Sequence, residues 1–136
     1  MSLPLEKLAG PNKPLVQEPA DDAEVSGLVR SGKARLADAV NLALSPESRF
    51  DLAYNAAHAL CLAALRRQGY RARHRYIVFQ VLPHTLGLGP EVWRVLDHAH
   101  GKRNLSEYEG HVDVDERLVR DTVVACQRVA AILDAL

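Results

Sequence analysis

Several familiar kinds of chemistry lack their minimal parts in this chain. Its 136 residues contain two cysteines, Cys61 and Cys126, with no Cys-x-x-Cys pair, so a structural zinc site is excluded. There is no glycine-rich phosphate loop and no His-Glu-x-x-His, which removes the common nucleotide hydrolases and metalloproteases. Aromatic residues make up 5% of the chain, too few for a β-sandwich built on aromatic strands. Formal net charge is zero, so the molecule as a whole has no electrostatic case for nucleic acid or an anionic membrane. No apolar run approaches the length needed to span a bilayer and no secretory signal is evident, so a soluble cytoplasmic protein is expected.

What is present is Ala, Leu and Val, within a hydrophobic fraction of 48%. That is enough for one core in a chain of single-domain length, and it favours close-packed helices. Both cysteines sit in apolar helical contexts, where a free thiol behaves as a small hydrophobe. Charge is unevenly spread. No acid occurs between Leu52 and Pro90, where Arg66, Arg67, Arg71, Arg73 and Arg75 cluster with His74, whereas Glu107 to Asp121 holds six acids against two Arg. Such patches either pair with each other or a second subunit, or contact phosphate.

Four of the seven prolines lie in residues 1–22, which are expected to form an extended arm able to dock through Leu3, Leu5, Leu8, Leu15 and Val16. Residues 23–136 are expected to form a single all-α domain, a compact bundle of four to five helices. Apolar spacings of three and four predict a first helix from Ala23 to about Leu44, with a weak point at Gly32. Ser45-Pro46-Glu47 reads as N-cap, first-turn proline and favourable acid for a second helix, ended near Gln68 by Gly69. This helix carries a polar stripe, Asp51, Asn55 and His58, which either reaches solvent or faces a cleft. Residues Tyr76 to Leu82 are strand-like by propensity. With no partner strand evident, they are assigned to a short third helix ending before Pro83, followed by a turn through His84 to Gly87. Gly89-Pro90-Glu91 opens a fourth helix, and Asp113 with Glu116 suggests a capping box for the last.

The densest polar chemistry lies in His98 to Glu109. His98 and His100 are two residues apart and so point in different directions on a helix, which argues against a metal site; neither a metal nor a cofactor is expected. Arg103 and Glu107 are at i and i+4, so an ordinary helix ion pair is one explanation of the arginine.

The run Lys102-Arg103-Asn104-Leu105-Ser106-Glu107-Tyr108 before a long final helix resembles the HEPN superfamily (higher eukaryotes and prokaryotes nucleotide-binding). Residues Ser45 to His58 and Leu82 to Gly87 are similar to a bacterial branch of it. The resemblance covers about residues 25–135. It implies a compact, generally dimeric helical bundle, many of whose relatives are metal-independent ribonucleases in toxin-antitoxin and defence systems. In those, an Arg followed by a polar residue is separated by four to six residues from a His. Arg103 and Asn104 carry over, but Tyr108 stands where the shortest spacing puts the His, and His111 lies too far on. A phenol of ordinary pKa about 10 is only about 0.1% ionised at pH 7, so weak or absent cleavage is expected. The expected site is Arg103, Asn104 and Tyr108 as the motif residues, with Asn55, His58, Arg71, Arg73 and Arg75 contacting RNA or nucleotide phosphate. His58 or His100 is a substitute base. Expected partners are a second copy, RNA or a nucleotide, and a cognate antitoxin or a nucleotidyltransferase that modifies Tyr108. The alternative is a non-catalytic dimerisation or partner-binding module.

Overall fold

The computed structural model describes residues 5–110 and 113–136, and for residues 106–109 the backbone alone. Four helices of 18 to 22 residues make a compact, mostly α-helical fold: α2 (Asp22–Ala39), α3 (Pro46–Arg67), α6 (Pro90–Glu109) and α7 (Glu116–Asp134). Shorter pieces complete it: α1 (Leu5–Leu8), β1 (Leu15–Gln17), β2 (Tyr70–Ala72), α4 (Ile77–Gln80) and α5 (Leu82–Thr85). No helix among the described residues is long and apolar enough to cross a membrane.

α3 is the axis. It begins where Ser45 Oγ accepts a hydrogen bond from Ser48 N at 3.2 Å, with Pro46 in the first turn, and it is followed by Gly69 at φ +89°. Phe50, Tyr54, Leu60, Cys61 and Leu65 are buried on it, and α2, α7, α6 and α4 pack around it. Burial pushes the Cys61 thiol well above its ordinary pKa and that of Cys126 up to about 12, so both act as apolar fillers rather than nucleophiles.

α2 ends at Ala39, earlier than the apolar spacing suggests, because buried Arg49 takes over its terminal carbonyl. Arg49 Nε donates to Ala39 O at 2.9 Å, while its Nη1 donates to both carboxylate oxygens of Glu116, at 3.0 and 3.2 Å. One guanidinium thus joins the end of α2 and the start of α7 to α3. The cap of α7 is Asp115, which accepts from Leu118 N at 2.8 Å, and not Asp113.

Gly32 is a close-packing point rather than a weakness. A Cβ there would lie 2.8 Å from Leu60 Cγ and Cδ2 and 3.2 Å from the Ala56 carbonyl oxygen. Leu60 is fully buried, so it would have to shift within a packed core. Although alanine is better than glycine in a helix by about 1 kcal/mol, Gly32→Ala is expected to destabilise the protein by about 1–3 kcal/mol in urea unfolding. A gain in stability would show that the α2–α3 interface is looser than described.

The chain before α2 differs most from expectation. Residues 5–8 form one helical turn, and Leu15–Gln17 pairs antiparallel with Tyr70–Ala72 in the register Leu15↔Ala72. Leu5 and Leu15 are buried, so the segment docks on the core through these two residues. It is fixed by Arg66, itself 1% exposed, which donates to Glu24 Oε1 at 2.6 Å and to the carbonyl oxygens of Pro19, Glu18 and Tyr70 at 2.7, 2.9 and 3.2 Å. The strand-like residues 77–82 are helical turns, as the short third helix assigned to them requires. Ile77, Val78, Phe79, Val81 and Leu82 are all buried, which accounts for a run apolar on every side. Pro83 sits in the first turn of α5, so the expected turn through His84 is helical.

Candidate functional site

The site lies where α3, the 73–76 segment and α6 meet, and its floor is Tyr54. The tyrosine is 1% exposed, packed against Phe79 with ring centroids 5.9 Å apart, and two guanidiniums lie over its ring: Arg103 Cζ from α6 at 5.0 Å from the centroid and Arg75 Cζ at 5.6 Å. Cations over an aromatic face are attracted by its quadrupole, so the ring holds both charges at the surface. Arg75 also donates from Nε to Tyr54 Oη and from Nη2 to Asn55 Oδ1, each at 3.4 Å.

Beneath them, Tyr54 Oη and His100 Nδ1 share a hydrogen bond of 2.9 Å, and Asn104 Nδ2 donates to His100 Nε2 at 3.1 Å. With the Asn104 amide nitrogen as donor, the ring tautomer compatible with both bonds is the one with its proton on Nδ1, directed at the phenol. The helix spacing dictates the arrangement. His100 and Asn104 are one turn apart on α6, just as Tyr54 lies one turn from Asp51 and His58 on α3. His58 is half-buried against Phe79, with ring centroids 6.2 Å apart. Burial, then repulsion from Arg75, from the His100 ring when it is protonated, and from Arg103, lowers its pKa from 6.5 to about 4, so it is a neutral imidazole at pH 7. At the rim, Asp51 Oδ1 accepts from Arg103 Nε at 3.4 Å.

Of the residues singled out in the sequence, the structure brings together Arg103, Asn104, Asn55, His58 and Arg75. Arg71 is elsewhere: its guanidinium is held at 2.7 Å by both Glu18 and Glu24. Those hydrogen bonds hold the two carboxyls below their ordinary pKa. Arg71 therefore belongs with Arg66 to the ion network that fixes the N-terminal segment, and the basic cluster is not a single surface. Arg73 is exposed but turned to the other end, donating to Gly10 O at 3.4 Å. Tyr108 belongs to the last turn of α6, and its side chain, like that of Glu107, lies outside the described residues, as does His111.

Tyr54 was the missed residue. It reads as one more member of the apolar face of α3, and the available signal was its place within the turn that carries Asp51, Asn55 and His58. His98 and His100 face different grooves. His98 lines a cavity of about 540 Å³ between α6 and α7, where Arg94, Lys102 and Arg117 are matched by Asp113, Asp115 and Asp121. Among the described residues, no group of three His, Cys, Asp or Glu is placed to hold a metal ion. The Tyr54 cluster can instead bind an anion through two guanidiniums and exchange a proton through an oriented imidazole.

No family model, no curated protein and no solved structure matches the chain significantly. The HEPN resemblance therefore rests on the motif residues themselves.

Proposed function

We propose that this is a HEPN-type, RNA-associated protein of bacterial toxin or defence kind, which binds RNA or nucleotide phosphate in the cleft around Arg103 with little or no ribonuclease turnover. The observation that carries the reading is the convergence of Arg75 and Arg103 on Tyr54, with His100 and Asn104 within hydrogen-bond reach of each other beside them. Two guanidiniums on a shared ring make a preorganised fork for a phosphodiester, and Asp51 is one partner that a phosphate would displace from Arg103. His100 is the candidate acid–base group in place of the missing motif histidine. Its Nε2 is occupied by Asn104, which is consistent with weak turnover. A second copy, joined through the α6 region as the resemblance implies, belongs to the same proposal.

A non-catalytic module is the second reading. It is favoured by the bond from Arg103 to Asp51, which with the Tyr54 contact ties α6 to α3 irrespective of any ligand.

Fluorescence anisotropy with a single-stranded oligoribonucleotide distinguishes the two. Arg75→Ala and Arg103→Ala are each expected to weaken binding about tenfold, as for a charge-assisted hydrogen bond, and to reduce the salt dependence by about one released counterion. Unchanged affinity in the double variant would leave the packing role alone.

A further inference from the structure

A second feature adjoins the cleft and is not used by it. After β2 the chain turns outward at Arg73, and the rings of His74 and Tyr76 lie parallel to within 5°, with centroids 5.6 Å apart. Both residues are exposed, Tyr76 by 37%, so the pair is not part of the core. Parallel offset rings at this spacing attract one another and place an aromatic pair at the surface. The pair borders a concavity of about 390 Å³, lined also by Asn12, Lys13, Pro14 and Arg73, with no carboxylate among these residues. The rim is built rather than incidental. The β1–β2 pairing places Leu15 opposite Ala72, and Arg73 N donates to Pro14 O at 2.9 Å, holding the Asn12–Pro14 turn against the aromatic pair.

Tyr76 is also the wall shared with the phosphate cleft. Its ring is 6.2 Å from that of His100, and Arg75, the residue before it, reaches over Tyr54. Cations therefore lie on both sides of an exposed aromatic surface: Arg75 and Arg103 on one, Lys13 and Arg73 on the other. A simple polyanion uses only the cations. A flat ring system between backbone-binding charges matches single-stranded nucleic acid, whose unpaired bases stack on aromatic side chains while its phosphates meet Lys and Arg.

We propose that His74 and Tyr76 form a stacking subsite for an unpaired nucleobase next to the phosphate cleft, so that the ligand is single-stranded RNA rather than a duplex or a free phosphate. The proposal rests on the reading of Arg75 and Arg103 as phosphate contacts and names the part of the ligand that lies beside them.

The test uses the full chain with two short oligoribonucleotides of equal length. One carries the fluorescent base 2-aminopurine flanked by pyrimidines, and the other is abasic at that position and its neighbours. With the native protein, binding should quench the 2-aminopurine, and the abasic strand should bind about tenfold more weakly. Tyr76→Ala should abolish the quenching and bring the base-bearing strand down to the affinity that the abasic strand has for the same variant; Tyr76→Phe should restore both signals. Arg75→Ala and Arg103→Ala should weaken both strands alike. Equal native affinity for the two strands, or quenching that survives Tyr76→Ala, overturns the base subsite while leaving the phosphate reading intact. Quenching that depends on Tyr76 but affinities indifferent to both arginines overturns the phosphate reading alone. No binding of either strand overturns both.

Discussion

Replacing Arg66 by alanine is expected to remove about 3–5 kcal/mol of stability, the cost of taking one partner from a buried ion pair. The size follows from what the guanidinium holds. At 1% exposure it satisfies three backbone carbonyl oxygens and Glu24, and it is in addition 3.3 Å from Glu18 Oε2. Water would have to replace these bonds in a space that now excludes it, or the residues leading into α2 must leave the bundle. Arg66→Lys should recover little, since an ammonium is a single point and cannot present the planar fork that reaches carbonyls on separate segments. Urea unfolding followed by circular dichroism measures the loss as a lowered midpoint. A loss below about 1 kcal/mol would mean that Arg71 alone holds the segment.

Acidification from pH 7 to pH 4.5 is expected to cost about 2 kcal/mol through His58. In the unfolded chain its imidazole takes up a proton as pH falls through 6.5, whereas in the folded protein it stays neutral until about 4. The unfolded state binds more protons throughout that window, so stability rises with pH across it and falls as pH is lowered. His58→Gln should flatten the profile between pH 4.5 and 6.5 when stability is measured by urea titration at each pH. Glu18 and Glu24 act in a different window. Their carboxyls are held below the ordinary 4.5 by hydrogen bonds from Arg71 and, for Glu24, also from Arg66. Their stabilisation is complete above that value and lost only as pH falls through their lower folded values. A profile for His58→Gln as steep as the native one would place the titrating group elsewhere.

Legibility in the sequence tracked how local the cause was. α3 could be read from Ser45-Pro46-Glu47 and Gly69 because caps act within one turn. The helical placing of Asp51, Asn55 and His58 on one side of α3 required only the spacing, and Arg103 does approach that side, at Asp51. The two-stranded pairing was invisible, because each strand is three residues long and its partner lies more than fifty residues away. The fate of the basic cluster was hidden for the same reason. Arg71 and Arg75 look equivalent in the chain, yet Glu18 and Glu24, brought in by that pairing, engage the first, while Tyr54 takes the second. The early end of α2 depended on Arg49, which nothing in residues 40–44 announces.

The pairing of Leu15 with Ala72 has a consequence for the order of assembly. α2 and α3 are neighbours in sequence and can dock as soon as both exist, with little chain to close. Leu15 has no place to go until the segment after α3 has been made and has turned back, so this contact carries the entropy of a long loop and forms late. Asn12–Pro14, which completes the groove beside Tyr76, is thus expected to acquire its shape after α2 and α3 have docked. A newly made chain would then hold its α2–α3 pair before the groove beside Tyr76 exists.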